Sequence, residues 1–489
     1  MKHVPISARE TAKQDTAIVP FAIALAVIVA LVAAVRLPFL SNLLLGEEGS
    51  HAYLVVGTLP VIKGLDAIFI GRLNGVDYLV FAEHNMLMYD FVDTIGRGIG
   101  RLVPLCRDDS IACTSTLSRT PFLIMFLIAA VIAFLPLRRW LAVGQPAILA
   151  IQALIVLFML TSPLMVGGSI QPQIDGSVGV MVAAVSAATI ISAATLTGRA
   201  RFLLWSLGGV ASSLGKSEWA LALAAALLVT SAIALAASYD KSRHELNWVN
   251  ARPAVEVCGS ILAGILLGQT LVLLRSPTAY LAGFALMREI NAMQLSVVAG
   301  LRQSWPLAYP VFALACAALL LMALRLRNLC RSRPEIVAIT GWACAIAAGY
   351  VHSGWSGDGF PRYYCLAAVL LVVGLVCLLR DVALPRIYSA FVVVLLLAGV
   401  GRNAASLIGA YRTGSSISSL PGTPLEKAEA NYLELARAYR GVPVLEWSAF
   451  GIYFRNIDWV AVDMGRQAGI EFVQEHRPEV LAEYEASIR

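Results

Sequence analysis

The chain has 489 residues, of which 58% are hydrophobic and only 14% charged, with a mean hydropathy of +0.75. Apolar runs recur along the whole chain, and a run of about 17 to 25 residues suffices to cross a bilayer as a helix. The composition therefore excludes a water-soluble globular protein and predicts an all-α polytopic membrane protein. The net charge of +6 needs no nucleic-acid partner to explain it, because membrane proteins carry excess Lys and Arg in their cytoplasmic loops.

Following the chain, we predict about eleven transmembrane helices. The first follows a short charged leader and lacks a small-residue cleavage site, which indicates an uncleaved signal anchor. The fifth is short, and its ends are the least defined. The predicted spans cover residues 18–40, 121–137, 147–166, 177–196, 202–214, 217–238, 254–274, 307–324, 336–351, 363–379 and 387–400.

Every second connection between these spans is basic. Lys and Arg concentrate in short cytoplasmic loops, so this alternation predicts a cytoplasmic N-terminus and an extracytoplasmic C-terminal segment. Compact loops favour a bacterial inner membrane over the endoplasmic reticulum. The basic residues are Lys2, Arg9 and Lys13, then Arg138 and Arg139, Arg199 and Arg201, Lys241, Arg243 and Arg252, Arg325, Arg327, Arg331 and Arg333, and finally Arg380 and Arg386.

The remaining connections are predicted to be extracytoplasmic. The first, residues 41–120, is the longest, and its segments 50–62 and 86–103 have apolar residues at helical spacing, which predicts helices lying in the interface. A short loop at 167–176 carries the single acid Asp175, and a longer loop covers 275–305. These features place most of the extramembrane mass on one side.

The membrane domain is predicted to span residues 1–402, and residues 403–489 to form a small extracytoplasmic α/β domain. Helical patterns cover 424–440 and 465–476, and short strand patterns cover 443–447 and 458–463. This domain could cover a site on the outer face, but a purely structural cap fits the pattern equally well.

Cys106 and Cys113 flank the sequence RDDSIA in the first outer loop, where an oxidising compartment allows either a short disulfide or two thiols. No Cys/His spacing resembles a zinc site. The absence of a further cluster of carboxylates favours a reaction without a metal ion, and the metal requirement stays open. The other six cysteines fall within spans or at their ends, where small apolar packing is expected. They are Cys258, Cys316, Cys330, Cys344, Cys365 and Cys377.

Two adjacent acids, Glu47 and Glu48, follow the first span together with His51. One interpretation is a catalytic acid pair within reach of a lipid headgroup, because a carboxylate pair at a membrane surface is costly to bury without partners. The other is a solvated helix N-terminus, in which both acids complement the dipole of a helix at 49–61. The pair alone does not decide between them.

The order of motifs resembles the GT-C class of integral membrane glycosyltransferases, especially those that use polyprenyl-phosphate sugars, such as aminoarabinose and protein mannosyltransferases. The resemblance spans residues 18 to 379. Glu stands at position 47 where the class commonly has Asp, and the prolines near His84 are missing. The similar elements are Glu47-Glu48 with Tyr53, EHNMLMY at 83–89 with His84 and Tyr89, the Arg-x-Pro of LSRTPF at 117–122, the loop acid Asp175, Lys216 in a glycine-rich helix–Lys–helix element, and Arg362-Tyr363 before a late span.

The resemblance implies inverting transfer of a sugar from a polyprenyl-phosphate donor to an acceptor hydroxyl on the outer face. Glu47 is the expected base, with Glu48 or Asp175 as alternatives or orienting groups, and His51, Tyr53, His84, Tyr89 and Tyr363 are expected to contact substrate. No cofactor is implied, and the acceptor, whether glycan, lipid or protein, stays open. Expected contacts for the lipid phosphate are Lys63, Arg72, Lys216, Arg275, Arg288, Arg302 and Arg362.

Two other classes share this compartment. A transporter or flippase of lipid-linked saccharides would show an internal repeat, interrupted helices at corresponding positions and ionisable groups near mid-membrane. The sequence shows no convincing repeat. A polysaccharide polymerase or ligase would place its large loop late in the chain, whereas here the long loop follows the first span.

Overall fold

The protein is a bundle of apolar helices. The computed structural model describes residues 18–40, 69–73, 76–79, 111–171, 174–240, 245–275, 277, 280, 297–352, 361–382, 384–413, 444–446 and 459–461. Its main helices are α1 (Ile18–Arg36), α2 (Ile111–Phe134), α3 (Pro146–Leu160), α4 (Pro163–Ile170), α5 (Gly179–Ala193), α6 (Arg199–Ser213), α7 (Ser217–Ser238), α8 (Trp248–Arg275), α9 (Val297–Ser332), α10 (Pro334–His352), α11 (Cys365–Leu379) and α12 (Arg386–Thr413).

Eight helices of this described part are long and apolar enough to cross a membrane. A ninth span results if α3 and α4, which meet at a bend of 55°, are counted together. The protein is therefore a multi-pass membrane protein whose partner is the lipid bilayer. Helices α6 and α11 have only 15 residues each, about 22 Å of helix, so they are shorter than a typical hydrocarbon core.

All eleven predicted spans coincide with helices, but several boundaries differ. Helix α2 begins at Ile111, inside the segment predicted as an outer loop, and α9 extends to both sides of its predicted span. The prediction of a loop at 167–176 is wrong, because α4 continues to Ile170 and a π-helical turn at Ile174–Val178 leads into α5. Only a short connection separates those two elements.

Short strands pair outside the bundle. In the predicted outer loop, Phe69–Leu73 and Val76–Leu79 form an antiparallel hairpin. Val444–Glu446 and Trp459–Ala461 pair in parallel within the two predicted C-terminal strands. Helix α12 continues past position 402 to Thr413. The predicted helices at 50–62, 86–103, 424–440 and 465–476 lie outside the described residues.

Helix α11 lies at the centre of the bundle, and all of its residues are buried. It packs on α10, α5 and α9, and its run of Val, Leu and Ala has no polar face. By contrast, α1 and α12 lie at the periphery and expose apolar side chains such as Ile23 and Val394. Such side chains face lipid in a membrane protein, because apolar surface carries no penalty there.

Helices α6 and α8 approach each other closely along small residues. A Cβ at Gly264 would lie 1.9 Å from the backbone oxygen of Ser206, and one at Gly268 would lie 2.6 Å from Cβ of Ser213. Gly264 and Gly268 have the GxxxG spacing that lets membrane helices pack backbone to backbone. The glycines therefore set the distance between these helices.

We expect Gly264→Ala to destabilise the protein by about 2 kcal/mol, because the new methyl group forces α6 and α8 apart. Gly259→Ala is the matched control on the same helix, since nothing lies within 4 Å of a Cβ there. It should be neutral or slightly stabilising. Unfolding by denaturant in detergent compares the two variants, and equal midpoints would contradict the close packing.

Arginines gather at one end of the bundle. Arg333 and Arg380 lie over the ring of Trp140, at 4.5 and 5.7 Å from its centroid. Arg333 also contacts Asp381 at 3.3 Å. Residues far apart in sequence are thus joined at this end, which comprises the connections predicted to be cytoplasmic. We call it the basic end.

Candidate functional site

The opposite end of the bundle is organised around the 3-10 turn Pro361–Tyr364. This turn packs against α4, against the π-turn Ile174–Val178 and against the ends of α9 and α10. Three elements predicted from sequence therefore meet here, namely the backbone of Arg362 and Tyr363, the turn that carries Asp175, and the region of Lys216. We call this end the candidate site.

Lys216 lies in the tight connection between α6 and α7 and is only 3% exposed. It caps the N-terminus of α7 in an extended conformation, and its carbonyl accepts a hydrogen bond from the amide of Trp219 at 3.0 Å. Its Nζ lies 5.2 Å from the centroid of the Tyr363 ring, within cation–π range. The buried ammonium thus adds to the positive end of the α7 dipole.

An aromatic network holds the Tyr363 ring. Tyr350 of α10 stacks on Tyr363 with centroids 5.0 Å apart, and its hydroxyl donates to Oε1 of Glu218 at 2.8 Å. The indole Nε1 of Trp219 donates to the Tyr350 hydroxyl at 3.0 Å, and Tyr364 packs edge-on against the Tyr350 ring. Because α7, α10 and the 3-10 turn all contribute partners, the ring of Tyr363 is held in one position.

The C-terminal part of α8 contacts the start of α7 through hydrogen bonds of Gln269. The hydroxyl of Ser217 donates to Oε1 of Gln269 at 3.3 Å, and the hydroxyl of Tyr280 donates to the same oxygen at 3.0 Å. Partial burial raises the pKa of Tyr280 above its ordinary value, so its hydroxyl stays a donor at neutral pH. Arg275, the last residue of α8, is half-buried beyond Gln269.

The backbone of the turn that carries Asp175 packs directly against the backbone of α4. A Cβ at Gly176 would lie 1.9 Å from the carbonyl oxygen of Gly168, so only glycine fits, and Ser177 donates to the Ser169 carbonyl at 2.9 Å. Just before this turn, Gln171 is 3% exposed, and no described residue donates to its Oε1. Gln171 thus offers a buried acceptor close to the Asp175 backbone.

A fully buried arginine holds α4 in place. Arg36, at the end of α1, donates through one terminal nitrogen to the carbonyls of Leu160 and Met165 at 3.1 Å, and through Nε to the Ser169 hydroxyl at 2.7 Å. These acceptors flank the bend between α3 and α4, where helix carbonyls lose their usual partners. The ring of Phe126 covers the guanidinium at 4.4 Å. Arg36 therefore stabilises the broken helix.

A second buried arginine anchors the start of the segment predicted to be the first outer loop. Arg119, from the LSRTPF motif, donates to the carbonyls of Phe39 and Leu40 at 3.1 and 3.3 Å. Phe39 and Leu40 also belong to one apolar cluster with Ile170 of α4. The chain that leads to Glu47 thus leaves the bundle beside α4, at the candidate site.

The predicted site residues differ in whether their side chains, only their backbone or neither is described. For Asp175 and Arg362 only the backbone is described, while the side chains of Lys216 and Tyr363 contact each other. Arg302 is exposed on α9, and Arg72 lies on the outer hairpin. The predicted site residues outside the described part are Glu47, Glu48, His51, Tyr53, Lys63, His84, Tyr89 and Arg288.

The structure describes the side chains of six of the eight cysteines. The six cysteines predicted to pack within or beside spans are free thiols, and Cys316 alone among those six is exposed. Cys106 and the side chain of Cys113 lie outside the described residues, so the disulfide stays a prediction. Within the described ranges, no group of three or more His, Cys, Asp or Glu could hold a metal ion.

Sequence reasoning missed several residues of this end. Glu218 and Arg119 lie inside motifs that carry the resemblance, and their places in those motifs are the signal that could have marked them. Tyr350 and Gln171 carry no local pattern, because their roles depend on contacts between distant elements.

The sequence was compared with protein-family models and with characterised proteins. No family model matches it, and the search of characterised proteins found no similar one.

Proposed function

We propose that this protein is a membrane glycosyltransferase of the GT-C type, which transfers a sugar from a polyprenyl-phosphate donor to an acceptor hydroxyl with inversion. The observation that carries the proposal is the buried ammonium of Lys216 at the N-terminus of α7, against the ring of Tyr363. A buried cation at a helix N-terminus adds to the positive potential there, which suits an anionic substrate group.

The departing group of this reaction is a lipid phosphate, whose negative charge grows as the glycosidic bond breaks. Lys216 and the N-terminal amides of α7 supply positive potential where that charge develops. Arg275 and Arg362 belong to the elements around the same end and are further expected contacts. The buried, stacked rings of Tyr350 and Tyr363 hold the Lys216 ammonium in position.

The acceptor hydroxyl needs a base, and we assign this role to Glu47. Glu47 is the seventh residue after Leu40, which Arg119 holds beside α4, so an extended chain carries Glu47 at most about 25 Å from that anchor. Glu48 and Asp175 are the alternative carboxylates. Asp175 follows α4 directly, so its turn lies at the same end.

The reaction is proposed to occur on the extracytoplasmic side of a bacterial inner membrane. The basic end then lies in the cytoplasm, in agreement with the distribution of arginines. The C-terminal segment is proposed to form an α/β domain over the site. Contact of strand Trp459–Ala461 with strand Val76–Leu79 of the outer hairpin supports this placement.

The test of the proposal is Lys216→Met in proteoliposomes supplied with a panel of polyprenyl-phosphate sugars. We expect transfer to fall by about 10²- to 10³-fold, because one charged contact to the leaving phosphate is lost. Lys216→Arg should retain part of the activity, since it keeps the charge. Donor binding is read separately by native mass spectrometry.

No transfer by the unmodified protein with any donor in the panel would count against a glycosyltransferase. Undiminished transfer by Lys216→Met would instead remove Lys216 from the site while leaving the reaction class in place. The two outcomes are therefore distinguishable.

A transporter or flippase of lipid-linked saccharides is the second candidate, and the bend between α3 and α4 favours it. Interrupted helices are typical of transporters, but they occur in pairs at corresponding positions of two repeats. Within the described part of the chain, one candidate span is interrupted, at the bend between α3 and α4. A second interrupted span at a corresponding position is not found among the described residues. Movement of a fluorescent lipid-linked sugar across the bilayer without cleavage of its phosphate bond would establish transport.

A further inference from the structure

The basic end contains a cavity of about 500 Å³ that the sugar-transfer chemistry does not use. One wall is formed by the connection after α2, and the other by the C-terminal end of α5. The lining residues are Leu135, Pro136, Arg138, Arg139, Ile191, Ser192, Thr195 and Leu196. A volume of this size is typical of small-molecule sites.

The charge of this cavity selects for an anion. Arg138 and Arg139 are among its lining residues, and guanidinium binds phosphate oxygens in a bidentate manner. The C-terminus of α5 opposes an anion with about half an elementary charge, which is less than the charge of one guanidinium. The hydroxyl of Thr195 donates to the carbonyl of Ser192 at 2.8 Å, which reduces the exposed negative potential of that helix end.

The rim of the cavity selects for a lipid rather than a soluble phosphate. Leu135 is 54% exposed and Leu196 is 38% exposed, and both line the cavity beside the arginines. Adjacent cationic and apolar surfaces match an amphiphile whose phosphate meets the arginines while its acyl chains continue along the bundle. Basic pockets between membrane helices are known to bind lipid headgroups in this way.

We propose that this cavity binds the headgroup phosphate of an anionic phospholipid, with Arg138 and Arg139 as its contacts. The site lies at the end of the bundle opposite Lys216, so it does not depend on the proposed transferase activity. Its occupant belongs to the leaflet at the basic end.

The test uses the full-length protein in nanodiscs that contain phosphatidylglycerol and phosphatidylcholine, with the retained lipids counted by native mass spectrometry. We expect Arg138→Gln/Arg139→Gln to weaken selective retention of phosphatidylglycerol about 30-fold, because each arginine contributes to the attraction of an anionic headgroup. Arg138→Lys/Arg139→Lys should largely restore it. Arg327→Gln/Arg386→Gln, which removes two exposed arginines that do not line the cavity, is the matched control.

Equal retention by the Gln variant and the unmodified protein would overturn the proposal, as would an equal loss in the control. Competition with inorganic phosphate separates the two sources of phosphate. Displacement of the lipid by inorganic phosphate alone would show that the acyl chains contribute nothing, which contradicts a lipid site. If the double Gln variant does not fold, the single variants Arg138→Gln and Arg139→Gln still test the proposal, because unchanged retention in both would contradict it.

Discussion

Glu47→Gln is expected to reduce sugar transfer by about 10³-fold while leaving donor binding and folding intact. The amide keeps the size and hydrogen-bonding shape of the side chain but cannot accept the proton of the acceptor hydroxyl. The measurement is the initial rate of transfer in proteoliposomes at saturating donor, with donor retention followed by native mass spectrometry. A fall in rate without a fall in retention separates loss of the base from loss of binding.

Three companion variants give this test its controls. Glu48→Gln and Asp175→Asn should each reduce transfer less than Glu47→Gln, if they orient groups rather than accept the proton. Glu47→Asp introduces the residue that is common in GT-C enzymes and should retain measurable activity. Full activity of Glu47→Gln would refute the assignment, and the variant with the largest loss would then identify the base.

Arg36→Met is expected to lower the free energy of unfolding by about 4 kcal/mol. The substitution keeps an unbranched side chain but leaves the carbonyls of Leu160 and Met165 and the hydroxyl of Ser169 without their donor. Unpartnered polar groups in a buried site carry their full desolvation penalty. Unfolding in detergent, followed by tryptophan fluorescence, measures the change.

Arg412→Met is the matched control, because Arg412 is exposed on α12 and its removal should change stability by less than about 0.5 kcal/mol. Arg36→Lys should fall between the two, since an ammonium reaches fewer of these acceptors. If Arg36→Met were as stable as the control, the bend between α3 and α4 would not depend on the guanidinium. Because α4 leads directly to Asp175, transfer should also decrease in Arg36→Met protein that remains folded.

The helical class of the protein follows from local sequence alone. Long apolar segments must satisfy their backbone groups internally in lipid, so the segments at Ser217–Ser238 and Pro334–His352 were predictable as helices. Helix ends were less predictable. Ile111 and Val297 begin helices outside the apolar segments, where hydropathy carries no signal but the backbone continues its hydrogen bonds.

The candidate site was predictable in its residue types but not in its arrangement. The position of Lys216 between two helices could be read from the sequence, but its burial and its contact with Tyr363 could not. No pattern could have paired Tyr350 with Glu218 or Arg36 with Ser169, because each pair is separated by more than a hundred residues. Such contacts depend on how helices pack rather than on neighbouring residues.

The sequence by itself determined that this chain crosses a membrane several times, and which of its connections are basic. It did so because hydropathy and charge act on each segment separately. Only the tertiary structure decided that the segment at 167–176 is largely helical, that α4 bends away from α3, and that Arg36 holds this bend. The physical reason is that a broken helix is stable only where another element supplies donors for its free carbonyls.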